Sequence, residues 1–308
     1  MARYIGRRLL HGVISLWLVV TFAFLLTRVL GDPVRQMLPL EHTPEEYQTL
    51  RQTLGYDRPW AVQYASFMSG LVRGDLGTST AYNRPALEVV LGRLPVTAGL
   101  AGAALLVAAI VGVPLGVLAG YRPYGPMDRL SLVVATVGQA VPAFVIAILL
   151  ILLFAVNLRW LPAGGFGRWD GMVLPVTALA LWTMSGLIRL ARSGIREVMA
   201  RPFIVLARAK GLGEREVLAF HALRPSLLPV VTFGGLQLGV LLTGAVVIES
   251  VFAIPGIGRL VLDALQARDQ EVVQAAILIG AVGFVVANLL TDLSYSVIDP
   301  RIRLAPRA

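Results

Sequence analysis

The stretch LPVTAGLAGAALLVAAIVGVPLGVLAGY, Leu94–Tyr121, runs without a single Asp, Glu, Lys or Arg. A helix rises about 1.5 Å per residue, so roughly 20 residues cross about 30 Å of hydrocarbon. A charge at the middle of such a helix costs about 2.5–3.5 kcal/mol on insertion scales. The stretch therefore predicts a transmembrane helix and not the buried helix of a soluble domain.

Five further apolar runs have the same character. They are Leu9–Thr27, Leu130–Leu158, Gly171–Ile188, Pro225–Ile248 and Val272–Thr291, of which only the first includes a histidine. Charged residues make up 15% of the chain, against roughly 25% in soluble domains, and are too few to cover a soluble surface. The first run is too long for a signal peptide, so we expect it to remain as a span. The sequence predicts an all-α polytopic membrane protein with six transmembrane helices.

The basic residues between the runs predict the orientation. Segment 189–224 has eight Lys and Arg against three acidic residues, and arginines also precede the first run and follow the last. Segments 32–93 and 249–271 carry no basic excess. Because cytoplasmic loops are enriched in Lys and Arg, both termini are expected in the cytoplasm. The net charge of +9 is then an orientation signal, and we expect no nucleic-acid partner.

Two segments between the runs are long enough to have structure of their own. Thr43-Pro44-Glu45-Glu46 is a capping box that predicts a short helix in the extracytoplasmic segment, and Gly70, Gly74 and Gly77 predict a loop after it. A docking surface and a plain structural cap both remain open for this segment.

The basic segment predicts two short helices around a glycine turn. Pro202 opens the first, which runs to Lys210, Gly211-Leu212-Gly213 ends it, and the second runs from Glu214 to about Leu223. An amphipathic segment resting on lipid headgroups and a docking element for a cytoplasmic partner are both consistent with this pattern.

Small and polar residues mark the spans themselves. Gly112, Gly116 and Gly120, and again Gly235 and Gly239, are spaced for close helix packing. Pro114 and Pro142 predict kinks, and the charged groups Glu249 and Asp292 are expected to snorkel from span ends. Polar residues at depth are Gln139, Thr183, Gln237, Thr243 and Asn288, and the candidate pathway residues are Gln139, Pro142, Gln237 and Asn288.

The residue inventory excludes several chemistries. Lys210 is the only lysine and is not followed by Ser or Thr, so a phosphate-binding P-loop is absent from the sequence. The chain has no cysteine, its three histidines are far apart, and no nucleophile motif occurs. We therefore expect no catalytic site, no metal site and no cofactor in this chain.

Several stretches, in order along nearly the whole chain, resemble the permease subunits of ABC importers, and most closely the first (B-type) permease of dipeptide/oligopeptide importers. They are Gly74-Asp75-Leu76-Gly77, Arg93-Leu94-Pro95-Val96-Thr97, Arg208-Ala209-Lys210-Gly211-Leu212, His221-Ala222-Leu223-Arg224-Pro225, Pro229, Glu249-Ser250-Val251-Phe252, Pro255-Gly256-Ile257-Gly258 and Asp299-Pro300-Arg301. Aligned on Gly211, the general Glu-Ala-Ala start of the importer loop is replaced by Val205-Leu206-Ala207.

The resemblance implies a type I ABC importer permease fold in a bacterial inner membrane. Residues 1–94 would form the first helix and the extracytoplasmic segment, and residues 95–308 a five-helix core with a coupling loop at about 196–224. Partners would be a second homologous permease, two ATPase subunits that hold ATP and Mg²⁺, and a peptide-binding protein. The coupling-loop residues implied are Phe203, Ala207, Arg208, Lys210, Gly211, Leu212 and His221.

The solute is left more open than the class. Peptides are the default for the family, while nickel complexes, glutathione, haem and sugars are carried by relatives. A stand-alone carrier would transport without partner ATPases, and an anchored interaction protein would have no solute pathway.

Overall fold

The computed structural model describes residues 2–29, 38, 43–53 and 55–298, and the motif at 299–301 lies outside them. Within these residues the chain is helical and forms no strand, and its β-pairing is limited to an isolated bridge between Thr78 and Pro85. The helices are α1 Ala2–Val29, α2 Pro44–Thr53, α3 Trp60–Val72, α4 Ala86–Tyr121, α5 Pro126–Ala140, α6 Ala143–Leu150, α7 Val173–Met199, α8 Pro202–Ala209, α9 Glu214–Ser226, α10 Leu228–Leu242, α11 Val246–Val251, α12 Ile257–Gln266 and α13 Gln270–Ile298. A π-helical stretch, Ile151–Asn157, extends α6, and a short 3₁₀ turn, Asp170–Met172, precedes α7.

Four helical stretches among the described residues are long and apolar enough to cross a membrane on their own. They lie in α1, α4, α7 with its 3₁₀ turn, and α13. The third and fifth predicted spans are bent pairs: α5 and α6 meet at 104°, and α9 and α10 at 48°. The prediction of six spans is met when each bent pair counts as one span.

The two prolines predicted to kink their spans have different settings. Pro114 lies inside α4, which continues as one helix through both Pro95 and Pro114. Pro142 caps the start of α6 after an extended Val141, and the 104° bend lies at this break. A proline biases the residue before it toward extended backbone, which accounts for the end of α5. The predicted division at residue 94 falls inside α4.

Helix α7 is the centre of the bundle and packs against α4, α5, α6 and α10. The glycine stripe of α4 makes the closest approach. A Cβ added at Gly112 would lie 2.6 Å from Met184 Cγ, and one at Gly116 would lie 2.5 Å from the carbonyl oxygen of Ile188. On the other side of the bundle, Gly239 of α10 faces Phe284 of α13. Both stripes therefore serve packing, as predicted.

The segment before α4 contains one predicted helix and one that was missed. In the capping box, the Thr43 amide donates to Glu46 Oε2 at 2.9 Å and the Glu46 amide donates to Thr43 Oγ1 at 3.2 Å, which starts α2 as predicted. Gly70, expected in a loop, lies inside α3. The loop begins only at Gly74 and Gly77, which both have positive φ.

The fifth span ends earlier than predicted. Helix α10 stops at Leu242, and Gly244, with φ of +108°, turns the chain into the short helices α11 and α12. A Cβ added at Gly244 would lie 2.8 Å from Gly258 Cα, so the returning chain passes directly over the turn. Of the apolar residues that follow the turn, Ile248 is buried in the bundle whereas Val247 is 53% exposed.

Candidate functional site

The basic segment folds as the predicted pair of helices around a glycine turn. Arg201 has extended backbone, Pro202 starts α8, and the helix ends at Ala209. Gly211 then takes φ of +81°, a conformation that glycine adopts without the Cβ clash of other residues. Helix α9 begins at Glu214 and leads into α10. We call residues 200–226 the two-helix loop.

One face of the two-helix loop is anchored in the bundle. Ile204 and Ala207 of α8 and Val217 of α9 are buried in one apolar cluster with side chains of α7 between Ala180 and Val198. Leu212, between the two helices, is half-buried and packs against that cluster. Ala207 and Leu212 therefore hold the loop in place.

The opposite face of the loop is exposed and partly apolar. Phe203 and Lys210, two of the predicted coupling residues, lie on it. The structure adds Val205 and Leu206, whose exposures are 60% and 57%, and Phe220 at 74%. None of these three is among the predicted coupling residues; the replacement of the usual Glu-Ala by Val205-Leu206 was the available signal for the first two.

An ion pair closes the turn between the two loop helices. Arg208 Nε and Nη2 lie 2.7 and 3.1 Å from the two carboxylate oxygens of Glu214. The hydroxyl of Tyr121, at the end of α4, lies 3.1 Å from Glu214 Oε2. Hydrogen bonding to this carboxylate raises the pKa of Arg208, which stays charged. Glu214 thus links both loop helices to the end of the second span.

An open cleft of about 500 Å³ lies between this linkage and the end of α7, lined by Tyr121, Arg122, Arg196, Arg208 and Glu214 among others.

His221, the last predicted coupling residue, is half-buried on α9, and its Nδ1 has no hydrogen-bond partner within the described residues.

The four candidate pathway residues are not gathered at one place. Gln139 and Pro142 are exposed on either side of the α5–α6 break, and Gln139 Oε1 accepts a hydrogen bond from Arg189 of α7. Gln237 is buried on α10 and Asn288 half-buried on α13. These last two lie at one level of the α10–α13 pair, between the Gly235–Thr291 and Gly239–Phe284 contacts.

At the end of the bundle opposite the two-helix loop, a fully buried carboxylate joins three segments. Glu249 of α11 accepts from Thr97 Oγ1 of α4 at 2.8 Å and from the Arg259 amide of α12 at 2.9 Å. The Ile257 amide donates to Thr97 Oγ1 at 2.8 Å. Glu249 and Thr97 therefore cap the N-terminus of α12, where free amides and the helix dipole favour a negative charge.

This arrangement corrects the prediction for Glu249, which does not snorkel. Its carboxylate is enclosed by the glycine turn, because a Cβ at Gly256 would collide with it. Asp292, the other predicted snorkelling group, pairs with Arg8 of α1 at 3.0 Å.

A second buried carboxylate, Asp269, holds the loop before α4 against the start of α13. Its Oδ1 accepts from the Val272 amide at 3.2 Å, and its Oδ2 accepts from Ser79 Oγ at 2.5 Å and the Ala81 amide at 3.2 Å. Asp269 is thus an N-cap that also ties in a loop 188 residues away. Leu76, between Gly74 and Gly77, is buried in the apolar cluster beneath it.

The described part of the chain contains no group of three or more His, Cys, Asp or Glu that could hold a metal ion. The buried carboxylates of Glu249 and Asp269 instead accept hydrogen bonds from the protein and have a structural role.

Comparison with known proteins agrees with this architecture. Residues 112–304 match the family described as binding-protein-dependent transport system inner membrane component, and residues 1–101 match the N-terminal family of such membrane components. The chain is 37% identical to the glutathione transport system permease protein GsiC of Escherichia coli (strain K12) over 305 residues, covering 98% of this chain and 99% of that protein. The GsiC protein of Salmonella typhimurium has the same identity and coverage.

Among solved structures, the fold is similar to a chain of the MetNI methionine ABC transporter in an inward-facing conformation. The TM-score is 0.57 at 14% sequence identity, over 70% of this chain and 98% of that one. The chain therefore belongs to the binding-protein-dependent transport system inner membrane components, as a non-catalytic, multi-pass inner-membrane permease subunit of an ABC importer in the dipeptide/oligopeptide permease family, with no cofactor of its own.

Proposed function

We propose that this chain forms half of the translocation pathway of an ATP-driven importer of short peptides, with glutathione-like tripeptides as the first solutes to test. The curated relatives that share 37% identity over almost the whole chain are glutathione permeases, and glutathione is itself a tripeptide. A nickel complex or haem is the alternative solute class. In this proposal a second homologous permease supplies the other half, and a binding protein delivers the solute from outside.

The observation that carries the proposal is the two-helix loop, which is buried against the bundle on one face and exposes apolar side chains on the other. Exposed apolar side chains at Phe203, Val205 and Leu206 are favourable to bury against a partner protein. A loop on the cytoplasmic side, as the charge distribution predicts, would meet the two ATPase subunits there. Both termini are then cytoplasmic as well.

Coupling in this proposal is mechanical. Closure of the ATPases on ATP would move α8, and the buried residues Ile204, Ala207 and Val217 would pass the movement to α7 because packed cores shift as units. Gly211 keeps the two loop helices in their relative positions through its positive φ.

A test is available at two nearby glycines with different backbones. Gly211 has φ of +81°, whereas Gly213 has φ of −65°, and neither has a neighbour within 4 Å of an added Cβ. A β-branched residue at positive φ costs about 1–2 kcal/mol or more, so Gly211→Val deforms the turn. In the assembled importer, we expect Gly211→Val to reduce ATP-dependent peptide uptake by about tenfold or more, and Gly213→Ala to leave it near wild type.

Membrane levels of all subunits and co-purification of the ATPases are measured alongside uptake. Full uptake by Gly211→Val would contradict the coupling role. Ion-gradient-driven uptake by the purified chain alone in liposomes would replace the importer with a stand-alone carrier. Uptake of nickel or haem in place of peptides would change the solute class only.

A further inference from the structure

The central helix α7 has an unusual exposed surface. Along Val173–Met199, which is described without gaps, the exposed residues are Arg189, Ser193 and Glu197, and all three are polar. Helix α4, by contrast, exposes Leu106, Ile110 and other large apolar side chains, as expected of a surface that contacts lipid. We call Arg189, Ser193 and Glu197 the polar stripe.

The spacing of the polar stripe places it on one face of α7. Residues four apart lie one above another on a helix, and the Ser193 hydroxyl donates back to the Arg189 carbonyl oxygen at 2.9 Å. A polar strip of this kind at the end of a span faces water or protein, because a charged group facing hydrocarbon is costly.

The stripe begins where the apolar run Gly171–Ile188 ends, on the side of the two-helix loop. Arg189 is 16 residues from the first residue of α7, about 24 Å along a helix, and helical side chains point back toward the N-terminus. Its guanidinium bonds to Gln139, next to Gly138, where an added Cβ would lie 2.6 Å from the Leu181 carbonyl oxygen. Arg189 is therefore drawn from the basic end of α7 toward the middle of the bundle.

Arg189 also differs from its neighbours in charge pairing. Arg192 Nε and Arg196 Nη2 contact Asp128 at 2.5 and 3.0 Å, and Arg201 pairs with Glu197 of the stripe. Within the described residues the side chain of Arg189 bonds only to the neutral amide oxygen of Gln139, and no carboxylate pairs with it. Its positive charge is left available to an external anion.

We propose that the polar stripe lines the water-filled part of the pathway on the side of the two-helix loop, and that Arg189, positioned by Gln139, binds the carboxylate of the passing solute. The ligand class is therefore a solute with a free carboxylate, such as the C-terminus of a peptide. A guanidinium suits this group because it donates two parallel hydrogen bonds to a carboxylate. The inference rests on the proposed importer function and adds a contact site to it.

The absence of cysteine from the chain provides a direct test of water access. Ser193→Cys is introduced into the complete importer, with Leu106→Cys on the exposed apolar face of α4 as the matched control. Both variants are treated with a water-soluble methanethiosulfonate reagent, and modification is read from the intact mass of this chain. We expect modification of Ser193→Cys and none of Leu106→Cys.

The anion contact is tested by the charge preference of the same reaction. Reagents with a sulfonate and with a trimethylammonium group are compared at Ser193→Cys, with and without Arg189→Gln. Removal of one positive charge a turn away is expected to lower the sulfonate-to-ammonium rate ratio by about fivefold or more. Arg189→Lys keeps the charge and is expected to keep the ratio.

Uptake supplies the final readout. Loss of a charged hydrogen bond is expected to lower the maximal rate for a peptide with a free carboxylate by about tenfold in Arg189→Gln, with partial recovery in Arg189→Lys. An unmodified Ser193→Cys in every nucleotide state of a transporting complex would overturn the pathway assignment. An unchanged rate ratio, or an unchanged uptake rate in Arg189→Gln, would overturn the anion contact.

These outcomes are separable from failure of the proposed function. An importer that does not assemble, or wild-type protein without ATP-dependent uptake, would refute the function while the modification of Ser193→Cys could still be measured.

Discussion

The hydroxyl of Thr97 donates a 2.8 Å hydrogen bond to the carboxylate of Glu249, which lies 152 positions further along the chain. The same hydroxyl accepts a hydrogen bond from the Ile257 amide, so one side chain of the second span contacts both α11 and the start of α12. The buried charge has the N-terminus of α12 as its electrostatic partner. The motif stretches around Thr97, Glu249 and Gly256 are thus parts of one contact.

The first prediction concerns this contact. Thr97→Val keeps the shape of the side chain and removes both hydrogen bonds, which leaves the Ile257 amide and one carboxylate oxygen buried without their partner. Each such loss costs about 1–3 kcal/mol. We expect a lower apparent melting temperature for Thr97→Val, measured by size-exclusion chromatography of heated, detergent-solubilised protein. Thr97→Ser, which keeps the hydroxyl, is the control, and equal melting of the two variants would contradict the prediction.

A second prediction tests the packing of α4 on α7. Gly116→Ala places a methyl group 2.5 Å from the carbonyl oxygen of Ile188, whereas Gly102→Ala on the same helix meets nothing within 4 Å. Ala is favoured over Gly in helices by about 1 kcal/mol, so Gly102→Ala is expected to be neutral or stabilising. Gly116→Ala is expected to lower both the folded yield and the melting temperature. Similar behaviour of the two variants would show that helix propensity, and not close packing, governs this stripe.

Local sequence patterns were sufficient for much of this fold. The apolar runs identify the spans, the capping box identifies α2, and the glycines at 211–213 identify the turn of the two-helix loop, because each depends on neighbours along the chain. The spacing of the glycine stripes alone likewise predicts that neighbouring helices pack closely against them.

All but one of the errors depend on partners far away in sequence. Whether Glu249 reaches solvent depends on Thr97 and α12, and where α10 ends depends on the chain that returns over Gly244. Pro142 signals a break but not its angle, which is set by packing of α5 and α6 against α7. The exception is local: the glycine pattern predicts Gly70 in a loop, although glycine is tolerated near the end of a helix such as α3.

The candidate site shows the same limit. The turn around Gly211 was predictable, but the division of the loop into an anchored and a bare face required the position of α7. Arg189 was counted with the other basic residues of its segment. Its distinct role emerges only because Asp128, 61 positions earlier, pairs with Arg192 and Arg196 and leaves Arg189 to Gln139.

A third prediction follows from that pairing. Asp128 is buried and bonds to Arg192 and Arg196, and it also accepts from the Tyr124 amide at 2.8 Å. Asp128→Asn leaves two partly buried guanidinium groups without their counter-charge, a loss on the order of 3 kcal/mol. Glu88→Gln removes the exposed pair with Arg84, which is worth about 0–1 kcal/mol. Melting in detergent should fall clearly for Asp128→Asn and little for Glu88→Gln, and the reverse order would be evidence against a structural role of Asp128.

The fourth prediction concerns how movement of the loop reaches the second span. Glu214 bonds to Arg208 within the loop and to Tyr121 at the end of α4, so Glu214→Gln weakens both links while the apolar anchors of the loop stay in place. Because an exposed pair of this kind is worth at most about 1 kcal/mol, assembly with the ATPases should survive. We expect the number of solute molecules taken up per ATP hydrolysed to fall by about two- to fivefold.

Tyr121→Phe isolates the link to the span, because it removes one hydroxyl and leaves the Arg208–Glu214 pair intact. Glu216→Gln is the control, since Glu216 is an exposed glutamate of the same helix for which no pairing is found within the described residues. Uptake and ATP hydrolysis are measured in the same proteoliposomes. If Glu214→Gln and Tyr121→Phe lower the ratio of uptake to hydrolysis and Glu216→Gln does not, the loop acts on α4 through this carboxylate. An unchanged ratio in all three variants would leave the buried contacts of α8 and α9 with α7 as the route by which the loop moves the spans.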